Sequence, residues 1–229
     1  MGNVRKISNR DDERLKILLC QENISPNYTY SVVTDEYFFP PELILMPAAA
    51  HSLHFENAGG KSNVSEALSM HYLELLYDAH DIIFEMEVEY WIRYSMVDYI
   101  CTIGDHRIGV SVTRAMGKFP KKRTKGGPSV PLTIEDVPDP SFFTIKKTEE
   151  LLHKKLYGLI VSRNAVCDKH SFFRSILHIW CQTQEIADML RGVFETYDMN
   201  DFGLEVQGTI ILLLTVCDHP SIYTNKLLH

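Results

Sequence analysis

The spacing of apolar residues changes several times along this 229-residue chain, and each spacing predicts a different element. Between residues 62 and 80 apolar side chains recur every three or four positions, which predicts a helix. Residues 82–91 alternate apolar side chains with glutamates, a period of two that predicts a strand with one solvated face. Residues 96–103 and 108–115 predict two further strands, and the turn-forming segment 104–107 joins them into an antiparallel meander.

The second half of the chain alternates helices and strands. Helices are predicted at about 144–163 and 185–197, and the apolar segments 175–182 and 209–216 predict buried strands. The order is therefore helix, three-strand antiparallel meander, helix, strand, helix, strand. Strands that are separated by helices should run parallel through right-handed crossovers. The predicted fold class is α/β with a mixed sheet.

Breaks in these patterns define the domain organisation. Residues 1–61 are predicted to form an N-terminal tail and an irregular arm packed on the core, because prolines interrupt the short apolar runs of residues 31–60. No repeat or linker divides residues 62–229, which predicts a single domain. Residues 116–140 combine proline, glycine and basic residues, which is typical of a long exposed loop.

Composition narrows the class of protein. Hydrophobic residues make up 45% of the chain and charged residues 23%, as in ordinary globular proteins. The net charge of −7 argues against a surface that is basic all over, but it allows a local basic groove. We expect no membrane partner, because the apolar run at 209–217 is far shorter than a membrane helix. Five cysteines without paired spacing, and no apolar leader, favour free thiols in an intracellular protein, cytoplasmic or nuclear.

Over roughly residues 62–217, the order of elements together with Glu66 and Asp98 resembles the core of the restriction-endonuclease-like superfamily, whose signature is PD-(D/E)XK. The phrases VSVTRA and ILHIW are also similar to a poorly characterised group of proteins from protists and large DNA viruses. The first resemblance implies a nuclease-like phosphodiesterase that depends on a divalent cation, Mg²⁺ or Mn²⁺. In that superfamily, acids on the first helix and the second strand hold the metal, and an acid and a lysine two residues apart on the third strand complete the site.

Transferred to this chain, the resemblance places Glu66 at the helix position and Asp98 at the second-strand position, both as metal ligands. The third-strand positions fall on Ser111 and Thr113, so the predicted catalytic set has a degenerate motif. Lysines on the following helix or a nearby acid could replace the missing groups; the candidates are Lys147, Lys154, Lys155 and Glu87.

Each candidate also has an ordinary structural interpretation. Glu66 could serve only as a helix-start residue in a capping box with Asn63, and Asp98 could pair with an arginine (Arg93, Arg107 or Arg114). The glutamates at 85, 87 and 89 could form a solvated strand face. Trp91 and Trp180 are predicted in the core.

A cluster of cations follows the third predicted strand. With Arg114, it would contact DNA or RNA along the cleft; its members are Lys118, Lys121, Lys122, Arg123 and Lys125. A solubilising loop and a nuclear-import patch are the alternatives.

Other cofactors are not expected. Cys167 and His170, with His178 and Cys181, have zinc-like spacing, but residues three apart on a strand face opposite ways. No glycine-rich phosphate loop indicates a nucleotide cofactor. Two hypotheses remain from the sequence: a nucleic-acid-binding or -processing protein with a degenerate metal site, or a non-catalytic interaction scaffold with the same fold that could form a homodimer.

Overall fold

A computed structural model describes residues 29–40, 42–54, 62–120, 136–198, 202 and 209–227. It confirms a mixed α/β fold built on a six-stranded sheet. The strands are β1 (Thr29–Glu36), β2 (His80–Phe84), β3 (Tyr99–Ile103), β4 (His106–Ala115), β5 (Arg174–Cys181) and β6 (Thr209–Val216). The helices are α1 (Pro47–Ser52), α2 (Asn63–Tyr77), α3 (Ile145–Ala165), α4 (Gln184–Glu195) and α5 (Pro220–Thr224).

The strand order across the sheet is β1-β6-β5-β4-β3-β2. Strands β2, β3 and β4 form the predicted antiparallel meander, and β4, β5, β6 and β1 run parallel. Alternate side chains of the central strands enter two cores on opposite faces of the sheet. One core includes residues of α2, and the other includes residues of α3 and α4. The predicted order of elements between residues 62 and 216 is thus confirmed.

The described residues of the segment 31–60 are less irregular than predicted. Strand β1 pairs in parallel with β6 over its whole length, and α1 follows it. The prolines that suggested an irregular arm lie beyond the end of β1, at positions 40 and 41, and Pro47 occupies the first turn of α1, where a missing N–H is tolerated. Pairing with β6, whose residues lie 180 positions further along the chain, overrides the weak local pattern.

The predicted strand over residues 82–91 is also shorter than expected. Strand β2 ends at Phe84, and residues Glu85–Glu87 form a turn of 3₁₀ helix. The carboxylate of Glu87 accepts from the backbone N–H of Phe84 at 3.1 Å. This local bond ends the alternation that the glutamates suggested.

A third, small core fixes the connection between β2 and β3. It consists of Val88, Val97, Ile100, Val166 and Phe172. The ring of Phe172 lies against Gly109 on β4, where an added Cβ would come within 2.5 Å of the ring carbons. Phe172 therefore fits only because position 109 has no side chain.

A buried polar chain ties α2 to the sheet. His178 on β5 is fully buried, and its Nδ1 and Nε2 contact Ser69 Oγ at 2.7 Å and Thr215 Oγ1 at 3.0 Å. Burial lowers the pKa of His178 to about 3, so the imidazole is neutral. This residue is a structural element of the core, and Cys181 lies in the core on the other face of the sheet.

In the part of the chain that the structure describes, no helix combines the length and apolar character that a membrane-spanning segment needs.

Candidate metal and nucleic-acid site

The candidate site forms where β4 extends beyond its neighbour β3. The ladder between the two strands ends with Tyr99 opposite Val110, but β4 continues to Ala115. Among the described residues, the backbone edge of β4 beyond Val110 therefore has no strand partner on this side. Side chains bond to this edge instead.

Asp98 is the first of these side chains. It lies immediately before β3 rather than in the middle of a strand as predicted, and its Oδ2 accepts from Val112 N at 2.5 Å and from Ser111 Oγ at 3.1 Å. No donor in the described ranges reaches Oδ1. The alternative interpretation, in which Asp98 pairs with an arginine, is not found among the described residues. Arg107 donates to the carbonyl of Lys169 instead, and Arg114 donates to the carbonyl of Ile222.

Lys155 is the second side chain that bonds to this edge of β4. It projects from α3, and its Nζ donates to the carbonyl of Val112 at 3.0 Å. Three lysines were candidates to replace the lysine that the third-strand motif lacks, and Lys155 is the one that reaches the site. Lys147 bonds the carbonyl of Phe142, and Lys154 is exposed.

Glu66 lies in the first turn of α2, and 9% of its surface is exposed. Its Oε1 accepts from the hydroxyl of Ser62, and no described donor engages Oε2. Burial and, to a smaller extent, the negative charge of Asp98 raise the pKa of Glu66 to about 7, whereas the hydrogen bond from Ser62 and the charge of Lys155 act in the opposite direction. The two acids are therefore close enough for their charges to interact.

Arg114 lies on the α2 side of the same strand. Its Nη1 donates to the carbonyl of Ile222 at 3.1 Å. Burial lowers the pKa of Arg114, and the charge of Glu66 opposes that effect. Arg114 thus contributes a positive charge near Glu66, with its guanidinium anchored to the segment that includes α5.

The other predicted residues are placed as follows. Ser111 orients Asp98. Thr113 lies half-buried opposite Ile179 in the β4–β5 ladder, without a hydrogen bond to either acid among the described residues. Glu87 is exposed at the 3₁₀ turn, and Glu85 is the acid of that row whose charge acts on Glu66.

The basic cluster lies mostly outside the described residues. Lys118 is exposed just beyond β4, where its backbone bonds that of Asp139, and its Nζ lies 6.0 Å from the ring centroid of Phe142. Lys121, Lys122, Arg123 and Lys125 belong to the undescribed segment 121–135. Their role in binding stays a prediction.

Two aromatic residues near the site escaped the sequence reasoning. The hydroxyl of Tyr90 accepts a hydrogen bond from Val97 N at 3.0 Å. Burial raises the pKa of Tyr90 to about 12, and the nearby charges of Glu85 and Asp98 act in the same direction. Trp180 is buried as predicted, but the prediction for Trp91 is wrong, because 72% of its surface is exposed. The alternating pattern around Trp91 suggested a strand, and the chain leaves the sheet there.

Within the described ranges, no group of three or more His, Cys, Asp or Glu side chains is arranged to hold a metal ion.

No family model matches this chain, and no solved structure matches it. The chain is similar to a protein of Dictyostelium discoideum described as "AAC-rich mRNA clone AAC4 protein", with 30% identity over 151 residues. The match covers 66% of this chain and 20% of that relative, so the chain corresponds to about a fifth of the length of the relative.

Proposed function

We propose that this chain is a nucleic-acid-binding or -processing protein with a nuclease-like core, in which Glu66 and Asp98 bind Mg²⁺ or Mn²⁺. The observation that carries the proposal is that Asp98 and Lys155 bond neighbouring backbone groups at the edge of β4, and the charges of both act on the buried carboxyl group of Glu66. A buried carboxylate near a second acid is costly for the fold, and such perturbed pairs concentrate at functional sites.

The donor set fits a hard divalent cation. Glu66 and Asp98 each keep one carboxylate oxygen that no described donor engages. Mg²⁺ is commonly bound by one or two carboxylates, with waters and substrate phosphates completing its octahedron. When bound, such a cation polarises a phosphate and lowers the pKa of a bound water.

The surrounding residues supply complementary roles. Lys155 uses one of its three N–H donors on Val112, which leaves two for an anionic oxygen such as that of a phosphate. Ser111 and the backbone N–H of Val112 fix the orientation of Asp98. Lys155 also replaces the lysine that the degenerate third-strand motif lacks, although it comes from a helix.

Thermal unfolding with and without Mg²⁺ or Mn²⁺ tests the metal site. A ligand that binds only the folded state raises the stability, by about 2.7 kcal/mol at a hundred times its dissociation constant. We expect the midpoint of the wild type to rise and that of Asp98→Asn to stay unchanged. Glu195→Gln, which removes an exposed acid at the end of α4, is the matched control and should behave like the wild type. No rise in the wild type, or an equal rise in Asp98→Asn, would contradict the proposal.

The second candidate function is a non-catalytic interaction scaffold with the same fold. It is favoured by the third-strand positions, which are Ser111 and Thr113 instead of an acid and a lysine. Incubation of the protein with DNA and RNA, single- and double-stranded, in Mn²⁺ separates the two functions. Cleavage that is lost in Asp98→Asn supports processing. Binding without cleavage supports a nucleic-acid-binding role. If the protein neither binds nor cleaves any of these nucleic acids, the scaffold function is favoured.

A further inference from the structure

Large apolar side chains are exposed close to the candidate site. In the segment 91–94, here called the aromatic loop, Trp91 is 72% exposed, Ile92 70% and Tyr94 75%. Arg93 lies between them, also exposed, and no described residue forms an ion pair or hydrogen bond with it. Exposed aromatic residues gathered in one short segment are uncommon and mark interaction sites.

The backbone of this segment is held firmly although its side chains are exposed. Trp91 N donates to the carbonyl of Ala165 at 2.8 Å, and Val97 N donates to the hydroxyl of Tyr90 at 3.0 Å. Val88 and Val97, on either side of the loop, are buried in the third core. Because the loop is fixed at both ends, its exposed side chains are presented in a preorganised arrangement, which lowers the entropy cost of binding.

The loop leads directly to the candidate site. Its backbone contacts α3 at Ala165, and the hydroxyl of Ser95 lies against Gly158, one turn of the helix from Lys155. The ten residues from Ala165 back to Lys155 span about 15 Å of helix. Three residues after Ser95 the chain reaches Asp98. The aromatic loop and Asp98 therefore both lie near the stretch of α3 between Lys155 and Ala165.

The size and composition of the surface favour a nucleic acid over a protein. Three side chains of this kind can bury roughly 400–500 Å², whereas a stable protein interface needs about 800 Å² on each partner. Glu89 and Lys169, which form an exposed ion pair next to the loop, interrupt any larger apolar surface. Aromatic residues with an interleaved arginine are typical of surfaces on which unpaired bases stack.

We propose that the aromatic loop binds single-stranded nucleic acid, with bases stacked on Trp91 and Tyr94 and a phosphate on Arg93, and leads the strand toward Glu66 and Asp98. This inference rests on the proposed function, because it names the substrate class of the same site. Single strands are specified because the faces of bases in a duplex are already covered by their neighbours.

Tryptophan fluorescence tests the proposal directly. The chain has two tryptophans, of which Trp180 is fully buried and Trp91 is exposed, so quenching by a bound oligonucleotide reports on Trp91. We expect saturable quenching by oligothymidylate or oligouridylate, and its loss in Trp91→Ala. Measured by anisotropy of a labelled oligonucleotide, the dissociation constant should rise roughly tenfold in Trp91→Ala and in Tyr94→Ala.

Phe38→Ala is the matched control. Phe38 is 50% exposed and follows β1, at the opposite edge of the sheet from the loop. The Phe38→Ala protein should bind single strands like the wild type. Unchanged unfolding midpoints should show that all variants are folded.

The outcomes separate the inference from the proposed function. If Trp91→Ala and Tyr94→Ala bind like Phe38→Ala, or if the wild type binds and cleaves only duplexes, the inference fails while the proposed function stands. If the wild type binds no nucleic acid, both fail. Self-association of the wild type that Trp91→Ala abolishes, without oligonucleotide binding, would identify a protein interface and overturn the inference.

Discussion

Asp98 and Lys155 bond to the two backbone groups of a single residue on β4. The N–H of Val112 donates to Asp98, and the carbonyl of Val112 accepts from Lys155. If β3 paired with β4 beyond Val110, a backbone group of β3 would make each of these bonds. Because side chains make them instead, an acid and a cation are fixed next to each other at the edge of the sheet. Loss of either leaves a backbone group of Val112 without its partner.

Glu66 should make the stability of the protein depend on pH. Its folded-state pKa of about 7 lies above the ordinary 4.5, so the folded chain retains a proton that the unfolded chain releases. This stabilising contribution is complete below pH 4.5 and is lost as the pH rises through 7, which amounts to roughly 3 kcal/mol. Glu66→Gln cannot ionise, and we expect it to be more stable than the wild type at pH 8 and similar at pH 4.5 in denaturant unfolding.

The control for this experiment is Glu195→Gln, whose stability should follow that of the wild type at both pH values. A Glu66→Gln protein that is less stable than the wild type at pH 8 would show that the carboxylate is held by a favourable partner.

Lys155 should hold the pKa of Glu66 down. Its positive charge opposes the effects of burial and of Asp98. We therefore expect Lys155→Met to raise the pKa of Glu66 above that of the wild type, as measured by NMR of the carboxyl carbon during a pH titration. Lys154→Met removes an exposed lysine from the neighbouring position and should leave the titration unchanged. Identical titrations in the two variants would place Lys155 too far from Glu66 to act.

The polar chain through His178 predicts a second pH effect, of opposite sign. The folded-state pKa of about 3 lies below the ordinary 6.5, so the stability that depends on neutral His178 is present above pH 6.5 and is lost as the pH falls toward 3. At pH 7.5, Ser69→Ala should cost about 1–3 kcal/mol, because it leaves a buried ring nitrogen without its partner.

Ser65→Ala provides the comparison. Ser65 is also buried on α2, but its hydroxyl bonds the carbonyl of Ser62 within the same helix. We expect a smaller loss of stability, about 1 kcal/mol or less. The free energies of unfolding are measured with denaturant. Equal losses in Ser69→Ala and Ser65→Ala would show that the hydrogen bond between Ser69 and His178 adds no particular stability.

The basic cluster should determine how salt affects nucleic-acid binding. Each phosphate contact releases counterions and contributes about 0.7–0.9 to the slope of the logarithm of the binding constant against that of the salt concentration. Replacement of Lys121, Lys122, Arg123 and Lys125 by alanine should reduce the slope measured by anisotropy. Alanines at Lys146 and Lys154 on the exposed surface of α3 are the control. A slope that is the same in both variants would assign the cluster a role other than phosphate contact.

The order of elements could be predicted because it depends on local periodicity. Helix α2 and strands β5 and β6 have apolar patterns that only one element type satisfies. Strand β1 could not be predicted in the same way, since its eight residues are stabilised by pairing with β6, a partner far away in the sequence.

The candidate site was predictable in part. Glu66 and Asp98 could be chosen because they fall at the acid positions of the restriction-endonuclease-like core that the chain resembles, and because Asp98 stands among apolar residues. The choice of Lys155 among three lysines could not be made, because it depends on which helix face meets Val112, 43 positions away. The exposure of Trp91 was missed for a different reason, because a local bond between Phe84 and Glu87 ends β2 earlier than the alternating pattern predicted.

Gly109 supports the small core that holds both ends of the aromatic loop. The ring of Phe172 occupies the space above it, and Phe172 shares its core with Val88 and Val97, the anchors of the aromatic loop. A methyl group at position 109 would push this ring outward and loosen both anchors together. A single Gly109→Ala substitution would then disturb the proposed metal site and the proposed nucleic-acid surface together, because both rest on this small core.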